Sequence, residues 1–166
     1  MKSLWVEAQL CIGCYQCVLA CSFEKELYFS PDDAWLVLFR WEERGFTQPV
    51  VCTQCEDAPC VRACSVGAIS RDPETEVVII EQNLCASCGL CVEACPVGVI
   101  SLHRDTGQAI KCDLCGGHPV CVTVCPWEAL TLQDRPWSEF KQLRDHLERV
   151  RDAILHGSKS LVVLES

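Results

Sequence analysis

The sequence predicts an α+β fold of short β-hairpins and short helices around cysteine-rich loops, closed by one longer amphipathic helix. Three observations carry this. Cysteine makes up 16 of the 166 residues and falls in four groups of four. Between the later groups lie short β-prone runs joined by turn residues. After the last group the pattern changes to apolar residues at three- and four-residue steps, the period of a helix.

Charge and composition narrow the function. Fourteen Lys and Arg stand against 23 Asp and Glu, a formal net charge of −9. An acidic chain lacks the basic face that phosphate neutralisation needs, so nucleic acid is not an expected partner. The opening MKSLWVEAQLCIGC holds one lysine, no twin arginine and no apolar run of signal-sequence length. No stretch approaches the roughly 18 apolar residues of a membrane helix. The expectation is a cytoplasmic protein with no direct membrane anchor, at home in anaerobic metabolism. In reducing cytosol, metal-bound thiolates are favoured over eight disulfides.

The cysteine groups are Cys11, Cys14, Cys17 and Cys21; Cys52, Cys55, Cys60 and Cys64; Cys85, Cys88, Cys91 and Cys95; and Cys112, Cys115, Cys121 and Cys125. The first and third have the spacing C-x2-C-x2-C-x3-C, and the second and fourth widen the middle gap to four and five residues. Pro96 and Pro126 follow the last cysteine of the third and fourth groups. A zinc ribbon instead uses two CxxC pairs whose thiolates converge on one small ion. Three cysteines on one tight loop diverge around something larger, and a 4Fe-4S cubane fits. The fourth cysteine then points to a neighbouring site, the pattern of bacterial two-cluster ferredoxins. Four such runs with no cysteine left over point to four 4Fe-4S clusters. Zinc in the looser second and fourth groups, within a zinc-stabilised interaction module, is the alternative of another class.

Four motifs imply two modules, pairing either first with second and third with fourth, or in a nested order. Residues between Cys64 and Cys85 include AISRDPETEVVII, a hairpin around a DPET turn. The third motif leads through VISLHRDTGQAI, a second hairpin, to Cys112. The first-to-second gap is longer and carries its own strand candidate at Trp35–Trp41. Nesting is favoured: a central module, 51–100, inserted into an outer module of 1–50 and 101–133. Strands at Leu4–Ala8 and Ala129–Leu132 would then pair and close the outer one.

The segments CIGCYQCVLAC, PVVCTQCEDAPCVRAC, NLCASCGLCVEACPVGVI and KCDLCGGHPVCVTVCPWEAL resemble the four-cluster ferredoxin subunits of complex redox enzymes. That family serves dimethyl sulfoxide reductases, formate dehydrogenases, hydrogenases, carbon monoxide dehydrogenases and tungsten aldehyde oxidoreductases. The resemblance implies two nested bacterial-ferredoxin-like modules and a ligand swap within each. In the outer module, Cys11, Cys14, Cys17 and Cys125 would hold one cluster, and Cys112, Cys115, Cys121 and Cys21 the other. In the central module the sets would be Cys52, Cys55, Cys60 and Cys95, and Cys85, Cys88, Cys91 and Cys64. Ser22 and Ser65 depart from the pattern by following the fourth cysteine of motifs one and two, proline being commoner at the latter position; no ligand is lost.

With every cysteine used, no iron is left open for substrate, and no triad or phosphate loop occurs, so no catalytic residue is expected. The function implied is a non-catalytic subunit relaying single electrons between a catalytic oxidoreductase subunit and a second redox partner. The fourth motif makes a tungsten or molybdenum partner of the aldehyde-oxidising kind the favoured one. A free-standing polyferredoxin, or a subunit of a hydrogenase, formate or carbon monoxide dehydrogenase complex, is the runner-up. Lys111 and Arg62 stand beside cysteines, either raising a local potential or as ordinary surface charges; His103 and His118 are not expected to be ligands.

Residues 134–166 form a final unit. Trp137, Phe140, Leu143, Leu147, Val150 and Ile154 make a helical stripe, with Lys141, Arg144, Glu148, Arg149 and Arg151 on a solvated face and Gly157 as its stop. The stripe packs either on the chain's own modules or on a partner, including a second copy of the chain. The run Ser160–Leu164 is β-prone and suited to a neighbour's sheet edge. Deleting 134–166 is expected to spare the clusters and weaken assembly.

Overall fold

The computed structural model describes residues 1–41 and 45–155. Its first strand, β1 (Lys2–Val6), pairs antiparallel with the last, β8 (Leu130–Asp134), with Val6 opposite Leu130 and Leu4 opposite Leu132. Alternation turns Leu4 and Val6 into the core, where both are buried. The pairing expected of Leu4–Ala8 and Ala129–Leu132 is present but displaced by two residues in the first strand and by one to two in the second. Ala8–Leu10 leaves the sheet in a single 3-10 turn that delivers Cys11.

Two hairpins follow the expected runs, and the strand expected at Trp35–Trp41 pairs with a further strand, Phe46–Val50, that lies outside those runs. β2 (Val37–Trp41) pairs with β3 (Phe46–Val50), β4 (Ile69–Arg71) with β5 (Val78–Ile80), and β6 (Ser101–Leu102) with β7 (Ala109–Ile110). In the DPET turn, Asp72 Oδ1 accepts from the backbone N–H groups of Glu74 and Thr75 and from the Thr75 hydroxyl. That is the local bonding by which aspartate favours turns. His103 Nδ1 likewise accepts from Asp105 and Thr106 in the next hairpin, while its Nε2 lies 3.4 Å from Glu26 Oε2; His118 is exposed.

Each motif closes with a helix: α1 (Gln16–Glu26), α2 (Pro59–Ala63), α3 (Leu90–Ala94) and α4 (Val120–Thr123). α1 packs on α4, and α2 on α3. Ser65 changes nothing locally: Gly67 N donates to Cys64 O at 3.2 Å, just as Gly98 N donates to Cys95 O after Pro96. Ser22 does change its helix. Its buried hydroxyl donates to Leu19 O and accepts from Ser30 N, and α1 runs on past Cys21 where a proline would have stopped it.

The last helix, α5 (Trp137–Leu155), lays its apolar stripe on this chain. Phe140, Leu143, Leu147 and Val150 are buried, and Phe140 meets Trp5 of β1 edge to face at 6.1 Å. Burying each such side chain contributes roughly 1.5–3 kcal/mol. That face is therefore occupied within the chain and not free for a partner. Gly157 and Ser160–Leu164 lie outside the described residues. Among the described residues no helix is long and apolar enough to cross a membrane.

Candidate metal centres

The motif loops are built from left-handed backbone. Gly13 and Tyr15 have φ of 69° and 64°, Ser87 and Gly89 56° and 76°, Gln54 and Ala58 51° and 33°, and Leu114 and Cys115 59° and 49°. Where such residues alternate with right-handed ones, the backbone can turn successive N–H groups toward one concavity that suits an anion, whereas Leu114 to Gly117 are left-handed in succession. Backbone N–H groups from outside these loops reach the sulfurs directly. Trp35 N lies 3.3 Å from Cys21 Sγ, Ala68 N 3.2 Å from Cys64 Sγ, and Ala109 N 3.4 Å from Cys85 Sγ. The Thr53 hydroxyl is 3.4 Å from Cys55 Sγ.

Two of the expected sets line cavities. Cys11, Cys14, Cys17 and Cys125 surround one of about 340 Å³, counting its open mouth, with Leu38, Pro49 and Leu130 in its walls. Cys52, Cys55, Cys60 and Cys95 surround another of about 370 Å³, walled by Val78, Val97 and Ile100 and by the stem of Lys111. Cys121 is brought together with Cys112, Cys115 and Cys21, whose charges act on its thiol. Cys91 is likewise joined by Cys85 and Cys88. Cys64 sits at the end of α2, which packs on α3, the helix that carries Cys91. Among the described residues no three His, Cys, Asp or Glu side chains converge as one bound ion would require.

Burial dominates the thiol chemistry. It pushes Cys17, Cys60 and Cys112 up to about 12 and Cys21 up to about 11, and raises Cys121 as well. Repulsion from the other sulfurs of each set adds to it. Four thiolates in one apolar cavity are unfavourable without a cation, so iron must displace these protons as it binds. An all-sulfur donor set, aliphatic walls and inward N–H groups fit a 4Fe-4S cluster.

Helical spacing links the sets in pairs. Cys17 and Cys21 lie four apart on α1, as do Cys60 and Cys64, Cys91 and Cys95, and Cys121 and Cys125 on or at the ends of the other three. Residues four apart are neighbours on a helix face, yet each pair divides between two expected sets.

One joint was not foreseen from the sequence. Gln54, buried, donates from Nε2 to Cys112 O at 3.0 Å and accepts Val78 N on Oε1 at 2.9 Å. Beside it Lys111, only 2% exposed, donates to Val78 O and, at 2.7 Å, to Cys112 O. Lys111 is thus an interior charge and not a surface one, whereas Arg62 donates to Asp57 O at the exposed edge of its motif. A buried Gln amid cysteines carries no pattern in sequence, which is why it was missed.

Comparison with known proteins agrees with this architecture. Residues 44–135 match the family described as 4Fe-4S dicluster domain, and residues 8–24 the one described as 4Fe-4S binding domain. The polyferredoxin-like subunit of aliphatic sulfonate oxidoreductase from Pyrococcus furiosus is 40% identical over 69% of this chain and 66% of its own length. Protein NrfC of Escherichia coli is 35% identical over 92% of the chain and 75% of its own length. The thiosulfate reductase electron transfer subunit PhsB of Salmonella typhi is 36% identical over 72% and 69%. In fold, the chain is similar to one in the active site complex BamBC of benzoyl coenzyme A reductase, with a TM-score of 0.50 at 22% identity, covering 96% of this chain and 98% of that one. The chain belongs to the 4Fe-4S dicluster family, as a ferredoxin-like electron-transfer subunit of oxidoreductase complexes whose cofactors are 4Fe-4S clusters.

Proposed function

We propose that this chain is a non-catalytic relay in which sixteen cysteines hold four clusters in series, within an outer module of 1–50 and 101–133 and a central one of 51–100. The observation that carries it is the gathering of Cys11, Cys14, Cys17 and Cys125 around one cavity and of Cys52, Cys55, Cys60 and Cys95 around another. When bound, each cluster supplies a one-electron couple. The chain's own residues hold the clusters, keep them dry and set their order.

The series runs from Cys11/Cys14/Cys17/Cys125 to Cys112/Cys115/Cys121/Cys21, then Cys52/Cys55/Cys60/Cys95, and ends at Cys85/Cys88/Cys91/Cys64. The interaction of Cys17 with Cys121 supports the first step. Cys52 acting on Cys112, together with the bonds of Gln54 and Lys111, supports the second. The shared helices α2 and α3 support the third. Cys14 and Cys88 are the exposed cysteines, and they belong to the two end sets. Exposed Ile12 and Trp127 flank the first end, and Leu84 and Leu90 the other, so a catalytic subunit and a second redox partner can dock at opposite ends.

The catalytic partner we favour is a tungsten or molybdenum oxidoreductase of the aldehyde-oxidising type, on the resemblance of the fourth motif. Relatives named for sulfonate and thiosulfate chemistry fit a wire that leaves substrate choice to its partner. Anaerobic purification tests the relay. Four clusters give about sixteen iron and sixteen sulfide per chain, four of each for every four cysteines. Stoichiometric zinc without sulfide would refute it.

A further inference from the structure

Two residues of the α5 face that sequence assigns to solvent, Arg144 and Arg151, reach toward one set of cysteines, while Lys141 and Arg149 of that face are exposed. Arg144, on that face, is only 15% exposed. Its guanidinium pairs with Asp57 at 3.0 Å and with Asp145 at 3.4 Å, lies 5.2 Å from the Trp137 ring, and is close enough to Cys55 for their charges to interact. Two turns on, Arg151 Nη1 donates to Cys95 O at 3.0 Å. Its stem covers Gly98 so closely that a Cβ there would meet Arg151 Cδ at 2.9 Å. From the other side Lys111 lines the same cavity, and Arg71 donates to Cys55 O.

Among the described residues the surroundings of the other sets differ. Charged residues are absent from the lining of the cavity of Cys11, Cys14, Cys17 and Cys125. Lys25 acts on Cys21 as a single cation paired with Asp113 at 2.6 Å, as Arg151 is paired with Asp152 at 2.6 Å; what sets the other cavity apart is the number of cations around it. Foremost among the charges acting on Cys91 are those of Cys85 and Cys88. Lys111 differs from Lys25 in that its described acceptors are carbonyl oxygens, not a carboxylate.

Resting on the relay reading above, we infer that α5 is an electrostatic element of the relay: Arg144 and Arg151, with Lys111 and Arg71, give the cluster of Cys52, Cys55, Cys60 and Cys95 the highest reduction potential of the four. Reduction adds one negative charge, and fixed cations in apolar surroundings stabilise that charge far more than they would in water. The interior third position thus holds the electron between partners. Arg144 and Arg151 act by charge and position; neither is a ligand.

The test is a redox titration of the intact, cluster-loaded protein followed by electron paramagnetic resonance. Iron and sulfide near sixteen each in the wild type establish the relay reading separately. In Arg144→Gln the highest-potential signal should shift downward while the others stay. The expected size is about a tenfold fall in the reduced-to-oxidised ratio at fixed solution potential, which is about 59 mV for one electron. Arg144→Lys should recover most of it. Asp57→Asn removes the carboxylate that offsets Arg144 and should shift the same signal upward.

Opposite signs for the two variants separate charge from packing damage. Unmoved midpoints at full iron content overturn the inference, as does a downward shift in both variants or a shift confined to a lower-potential signal. If Arg144→Gln fails to retain iron, the surface variant Asp57→Asn decides alone: a rise supports the assignment, and no rise overturns it.

Discussion

At the scale of single residues, the cysteines and the left-handed positions between them do different work. The cysteines are legible because ligand chemistry fixes both residue type and spacing. The left-handed positions are legible only where they are glycine. Tyr15, Gln54, Ala58 and Cys115 adopt the same conformation at about 1–2 kcal/mol each, and nothing in their side chains announces it. Two glycines separate conformation from crowding. Gly89 has open space where a Cβ would stand, whereas a Cβ on Gly13 would lie 3.0 Å from Thr47 Oγ1 on β3. Gly89→Ala is therefore expected to cost about 1 kcal/mol, and Gly13→Ala about 2 kcal/mol or more. Anaerobic denaturant titration of the two variants checks the order; equal costs would remove the role assigned to Thr47.

Among elements, α5 shows how far a periodic pattern can be read. Its stripe identifies the helix and its buried face, but the pattern does not say what lies against either face. Arg144 and His146 lie toward buried sites that no local rule assigns. His146 is 3% exposed, with Nε2–H donating to Gln48 Oε1 at 3.2 Å and Nδ1 unpartnered among the described residues. Burial first, and then Arg149, hold its pKa below the usual 6.5. Between the folded and unfolded values the unfolded chain binds the extra proton, so this group's contribution is full above about 6.5 and is lost as pH falls below it. Denaturation midpoints at pH 7.5 and 5.5 should therefore differ less in His146→Gln than in the wild type. An unchanged difference would show that other groups set the acid sensitivity.

Over the whole molecule, the first and last strands of the cysteine-bearing region close on each other, and α5 then crosses back over both. β1 pairs with β8, Met1 N–H₃⁺ reaches Asp134 at 3.0 Å, and Ser3 Oγ donates to Cys52 O at 3.3 Å. Removing residues 134–166 would uncover Trp5 and strip Arg144 and Arg151 from the central motifs. The expectation formed from sequence, that such a deletion spares the clusters, is accordingly replaced. The truncated chain should lose iron and sulfide, most readily from the set of Cys52, Cys55, Cys60 and Cys95, and should melt lower. Iron analysis beside a thermal melt under argon checks this, and full iron retention would return α5 to the role of an appendage.

Sequence alone determined the donor chemistry, the number of cysteine sets, the hairpins and the amphipathic helix. Each depends on residue type and on spacings short enough for local geometry to govern. Tertiary structure decided which surfaces meet: the Gln54 and Lys111 joint between neighbouring sets, and the cations gathered around one of them. Those contacts link residues such as Gln54 with Cys112 and Arg144 with Asp57, far apart in the chain. Charge and hydrogen bonding between such partners depend on where packing brings them, and no spacing rule carries that information.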